Sequence, residues 1–398
     1  MKKRILAGIS LSVMLLLLIF LGEIIHLPWG EEFPGPQPSP VWSREISPKT
    51  YISEGEGKLI IIQEESKGEE GEGEEGEGRG FVARSLDYYG KSLWEEKLEG
   101  SANSNFFFGK SHWAYIDSIE GHVSTFDYQG SKAGQFKREE KHDNVWLGPK
   151  GEHISISNYS PREEVPEKTL EGYYAEKLEV ISPNGSSIYR DIFKGIGILD
   201  AKILSGQSGE DILILSKVEI YPQLTSKVAL YDLEGNKITE QQGSELFLPP
   251  LIIKEGEAVV LASGREMFLY SLKDTDLLRR EWDYNIDDCF LTPQGEIILV
   301  AGAREPFTEN IQLLFIDSQG KVVWEKRLPG AYLQGRARQD GGIIIESSDR
   351  LFLLDSQGSS SSYYLIGEKE KIYLLSSDVF LSVTGTEIQA YQWQLPRR

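Results

Sequence analysis

The sequence predicts an all-β protein: a β-propeller of about eight four-stranded blades, its ring closed by an N-terminal strand and preceded by one N-terminal transmembrane helix. Three observations predict the ring. Turn formers are abundant, with 40 glycines and 17 prolines among 398 residues, and no long helical pattern follows the N-terminus. A hairpin signature recurs along the chain. The spacing of its copies suits a blade of four strands.

The repeat is clearest in residues 87–100 (DYYGKSLWEEKLEG) and 317–330 (DSQGKVVWEKRLPG), which are identical at seven of fourteen positions. Weaker copies begin at Asp127, Ser182, Asp232 and Asp355, and degenerate ones lie at 270–274 and 391–394. Each copy has one grammar. An alternating strand leads in, Asp-x-x-Gly turns the chain, and a second strand runs out, often with a Trp. The Asp side chain bonds amides of the turn and the Gly takes the position of positive φ. Before each hairpin stands a more apolar run, such as Leu59–Ile62, Ile212–Leu215, Ala258–Leu261 or Ile343–Ile345. Runs of this kind fit strands covered on both faces, so we assign them to the sandwiched inner part of each blade. Eight runs and eight hairpins argue for eight blades; seven fits if the two degenerate copies are one.

The chain ends predict how the ring shuts. The last copy has a strand over Glu387–Tyr391 but no convincing outgoing partner. Residues 41–46 (VWSREI) resemble that missing strand, with Trp42 in the place of Trp94 and Trp324. Closure of the last blade by this segment removes the free sheet edges.

The Asp-x-x-Gly-Lys-x-x-Trp pattern resembles the PQQ-type β-propeller repeat over residues 41–398, most specifically in the copies at 87 and 317. The resemblance implies the fold. The family holds both quinoprotein dehydrogenases and non-catalytic envelope proteins, and this chain is more similar to the latter. In the dehydrogenases the cofactor lies over a pair of adjacent cysteines, with a Trp beneath and calcium beside it. With Cys289 as its one cysteine, this chain cannot form that disulfide.

The N-terminus sets the compartment. Residues 1–4 (MKKR) are basic and Ile5–Gly22 carries no charge, a length of helix close to the bilayer's hydrocarbon core. A cleaved signal, a lipoprotein signal and an uncleaved anchor compete. No cysteine follows to carry a lipid, and no small-residue cleavage site ends the run. The reading is a signal anchor over 5–25 with a cytoplasmic basic tip at 1–4, placing all that follows outside the cytoplasm. Residues 26–40 are a Pro-rich spacer, with Trp29 at the membrane interface, and residues 41–398 are the propeller.

Charge excludes one class of partner. Lys and Arg total 42 against 62 Asp and Glu, a net charge of −20, which repels phosphate backbones; no nucleic acid is expected. The Gly/Glu stretch at 68–80 cannot form a core and reads as a disordered acidic loop between the second and third strands of the first blade. A second insertion, 158–172, reads as a surface loop, the kind of element on which propellers bind.

Chemistry is sparse. The histidines are His26, His112, His122, His142 and His153, and neither HExxH nor G-x-S-x-G occurs. Asp287 and Asp288 and the turn aspartates are possible calcium ligands, but turn aspartates need no ion. Cys289 reads as a buried small hydrophobe. The sequence therefore nominates no catalytic, cofactor-binding or metal-binding residue and implies no cofactor. The expectation is a non-enzymatic, membrane-anchored, extracytoplasmic module whose partner is an envelope or secreted protein or a wall polymer. The alternative is an envelope enzyme, a quinone-dependent dehydrogenase or a carbohydrate-active protein, using the central funnel.

Overall fold

The computed structural model describes residues 38–393 except 65–79, 99–103, 118–119, 139–143, 159–174, 206–210, 220–223, 254–257, 273–276, 302–309 and 318. The basic tip, the membrane segment 5–25, the spacer up to residue 37, the Gly/Glu stretch up to residue 79 and the insertion from 159 onward lie outside the described residues. Among the described residues no helix is long and apolar enough to cross a membrane.

Thirty-two strands form eight antiparallel sheets of four. Blades 1 to 7 span residues 50–98, 105–137, 144–194, 196–242, 251–281, 286–329 and 332–365, each with its strands in sequence order. Blade 8 takes three strands from residues 371–392, and its fourth is the N-terminal Ser39–Glu45, paired antiparallel with Glu387–Gln392. The segment carrying Trp42 thus closes the ring, as its sequence predicts, and the blades number eight.

First strands of adjacent blades approach one another, Asn105–Phe108 with Asn144–Leu147 and Ile286–Leu291 with Tyr332–Ala337 among them, so the first strands surround the axis. Strand direction alternates within a blade, so its ends fall on two faces. The first-to-second and third-to-fourth turns share one, here termed the turn face. The second-to-third loops and the connections between blades share the other, the link face. The stretch 65–80 joins the second strand of blade 1, Lys58–Glu64, to the third, Phe81–Leu86, which is where the sequence placed it.

The apolar runs are the second strands of their blades, sandwiched between neighbouring blades as the sequence predicts. The reason is coverage. A second strand has a neighbouring blade on each face, and its alternating side chains serve both seams. Leu59 and Ile61 pack with Leu381, Ile388 and Ala390 of blade 8, whereas Ile60 and Ile62 pack with Trp113 and Phe126 of blade 2. The first strand has one edge on the axis and carries more polar residues; Thr50–Gly55 is mostly half-buried.

The hairpins follow the predicted grammar. Asp87 Oδ1 accepts the amides of Tyr89 and Lys91 at 3.0 and 2.9 Å, and Asp127, Asp232, Asp317 and Asp355 repeat the pattern. After the turn the register slips by one residue, between Ser85 and Leu86 and between Phe315 and Ile316 for example, leaving Leu93 and Val323 unpaired. Such a bulge sharpens the local twist and re-aims the side chain that follows. That side chain is Trp94 or Trp324, and it crosses to the next blade. Trp94 Nε1–H donates to Tyr128 O at 3.1 Å and Trp324 Nε1–H to Ser356 O at 3.2 Å. Trp42 makes the equivalent bond to Tyr88 O at 3.0 Å, so the closing seam carries the same lock as two internal ones. Gly130, at φ 89°, lies under the Trp94 indole, where a Cβ would come within 3.0 Å of the ring.

Candidate functional site

Around the axis, polar side chains tie blades together. The side chain of Glu54, on the first strand of blade 1, is 4% exposed and pairs with Arg336 of blade 7. The Ser376 amide of blade 8 donates to it at 3.0 Å, and Tyr88 O–H donates to it as well. Arg336 Nη1 also donates to Leu374 O at 2.9 Å. Burial and the Glu54 carboxylate together hold the Tyr88 phenol above its usual range. These groups satisfy one another across blades 7, 8 and 1.

The residues the sequence singled out are scattered. Cys289 is buried on the first strand of blade 6, and burial with the nearby Asp288 charge pushes its thiol up to about 12, so it is protonated at neutral pH. Asp288 accepts the Cys289 amide at 2.7 Å and the Tyr332 hydroxyl. His122 lies 3.1 Å from Glu120 at the surface, and His112 bonds to Ser111. His153 is buried between blades 2 and 3. No three His, Cys, Asp or Glu side chains among the described residues are grouped to hold a metal ion.

A cavity of about 820 Å³ opens on the link face where blades 4, 5 and 6 meet. Its walls are the start of the third strand of blade 4 (Leu224–Ser226), the link to blade 5 (243–248), the Gly264 turn and the start of blade 6 (285–287). Local chemistry shapes the link. Phe247 is buried, bridges to Ser263, and donates its amide to Ser226 Oγ at 3.2 Å. Ser263 Oγ donates to Glu245 O at 2.6 Å, and Leu248 N–H donates to Ala262 O at 2.8 Å. With Phe247 held inward on extended backbone, the preceding side chain turns outward. Leu246 is accordingly 57% exposed, and Leu224, also lining the cavity, 74%.

Other exposed leucines share this face. Leu199 and Leu333 are the extra residues of bulges on the first strands of blades 4 and 7, near their link-face ends, and Leu365 ends the last strand of blade 7 at the same face. Among the described residues the other exposed aliphatic side chains, Leu93, Ile188, Ile238, Leu277 and Val323, ring the rim at the starts of fourth strands. Sequence reading missed the link-face set because a leucine on a bulge or in a link looks like any core leucine; the one local signal is the turn-rich run 243–250 (GSELFLPP) around Leu246.

No protein-family model matches the chain, and no curated protein matches it in sequence. Solved structures do. BamB from Moraxella catarrhalis superposes with a TM-score of 0.51 at 10% identity, over 91% of this chain and 100% of that one. A eukaryotic initiation factor superposes with 0.53 at 9% identity, over 88% and 94%. At these identities the likeness establishes the propeller fold.

Proposed function

We propose that the chain is a non-enzymatic binding module that stands outside the cytoplasm, held to a membrane by residues 5–25, and that it recruits another envelope protein with its link face. One observation carries the reading: five solvent-exposed leucines, Leu199, Leu224, Leu246, Leu333 and Leu365, lie on that face, and two of them, Leu224 and Leu246, line its cavity. Exposed apolar groups that share a face with a cavity mark interaction surfaces. Chain direction supports the same face. Ser39 pairs with Gln392 at the turn-face end of blade 8, so the chain comes into the ring from the turn face. An anchor preceding it leaves the link face directed away from the bilayer. The resemblance of the repeat to PQQ-type propellers agrees, because that family includes non-catalytic envelope proteins.

Crosslinking and capture with the tagged full-length protein tests this. The wild type is expected to retain one envelope protein or complex reproducibly. Leu199→Asp with Leu333→Asp should lose it, and the rim change Val323→Asp should keep it. Capture that ignores the link-face changes, or a quinone or calcium recovered with the purified ring, sinks the reading.

A further inference from the structure

We infer that the cavity at blades 4 to 6 is a docking groove for an extended peptide segment of the partner in which apolar side chains alternate with Lys or Arg. The inference rests on the binding-module reading and narrows it to one site and one chemistry. Three features select this occupant. The volume, about 820 Å³, is that of a pocket for a few side chains rather than a flat face for a domain. The exposed Leu224 and Leu246 line the opening together with Ile286 and Leu248, so the groove offers apolar surface. Of the described residues lining it, Glu245 and Asp287 are charged and none is Lys, Arg or His. Asp287 is engaged within the chain and Arg265, next to Gly264, is tied to Asn285 at 3.3 Å, so Glu245 is the carboxylate set to meet a cation.

Charge decides between occupants. A carboxylate-lined groove in a chain of net charge −20 repels acidic peptides and anionic lipid heads and draws in cationic ones. Apolar side chains buried against Leu246 then supply affinity, and Lys or Arg beside Glu245 supplies selection and register. Direction argues against lipid as well, since the groove opens on the face away from the strand by which the chain reaches the ring.

The test uses the full chain in nanodiscs of zwitterionic lipid and a labelled peptide of alternating leucine and lysine, read by fluorescence anisotropy. Counterparts carry Glu for Lys or Ser for Leu. The Leu/Lys peptide is expected to bind at least tenfold more tightly than either counterpart. Leu246→Asp should weaken it about tenfold, Glu245→Lys should shift preference toward the Leu/Glu peptide, and Val323→Asp, on the rim, should change nothing. Equal binding of the Leu/Glu peptide, or indifference to Leu246→Asp, overturns the groove assignment while leaving the Leu199 and Leu333 capture experiment to decide the wider reading. Sedimentation of the protein with phosphatidylglycerol vesicles, abolished by Leu246→Asp, overturns the peptide in favour of lipid.

Discussion

Blade 2 meets its two neighbours by different chemistry. Toward blade 1, the indole of Trp94 covers the Gly130 turn, donates to Tyr128 O and stacks on Trp113 with centroids 6.3 Å apart and planes 10° from parallel. Toward blade 3, the position equivalent to Trp94 is Gly134, and the Pro183 turn closes down on it so tightly that a Cβ would collide with the Pro183 backbone. Behind that contact, buried Thr125 and His153 share a hydrogen bond of 2.6 Å, and Phe136 meets the His153 ring edge-on at 5.2 Å. One seam is a neutral aromatic lock. The other depends on a titratable ring. A repeating architecture therefore fixes where blades touch, while each seam chooses its own means of adhesion.

The largest expected effect tests the aromatic lock. Trp94→Ala removes a half-buried indole and its hydrogen bond and should cost about 3 kcal/mol, read as a lower denaturant midpoint at unchanged m-value. Thr239, the residue in the equivalent place on blade 4, should cost under about 0.5 kcal/mol on change to Ala. Equal losses at the two positions would dissolve the distinction between locked and unlocked seams.

Acid probes the other seam. Burial, and secondarily the Arg138 charge, lowers the His153 pKa to about 3, against 6.5 for a free imidazole. The folded state holds His153 neutral, and the unfolded chain takes up the proton first. Its contribution is therefore complete above about pH 6.5 and is lost as pH falls toward 3. Between pH 7 and pH 5 the loss should be about 2 kcal/mol. In urea titrations at both pH values, His153→Gln should flatten this dependence, whereas Trp94→Ala should shift stability equally at each. A His153→Gln protein with the wild-type pH slope would remove the histidine from the account.

The smallest effect sharpens the geometry. Gly130→Ala meets both a φ of 89° and the Trp94 ring, and should cost about 1.5 kcal/mol. In the Trp94→Ala background the ring is gone and only the backbone strain is left, so the cost should fall. Strict additivity in that double-mutant cycle would mean that the indole does not bear on the turn.

Much of the fold was legible because its information is local. Asp87 and Gly90 state a turn within four residues, and the match of 87–100 to 317–330 states that the turn repeats. Trp42 announced ring closure because it carried the mark of an outgoing strand with no incoming one. The first strands were less legible: Thr50–Gly55 and Tyr332–Ala337 mix polar and apolar residues, since the axis asks less of them than two flanking blades ask of a second strand. The candidate groove was scarcely legible, its one local signal being the turn-rich run 243–250. Leu224, Leu246 and Ile286 are 62 residues apart at their extremes, and nothing local distinguishes an exposed leucine from a buried one.

The sequence by itself determined an all-β ring of repeated hairpins, the segment that shuts it and the net negative charge, because propensity, turn chemistry and net charge are properties of short windows and of sums. Only the tertiary structure decided the count of eight, the Glu54–Arg336 tie across the closing blades and the placing of five leucines on the link face. Those depend on which blades become neighbours and which way a side chain is left to point once its neighbours are buried, and both are settled by packing between residues far apart in the chain.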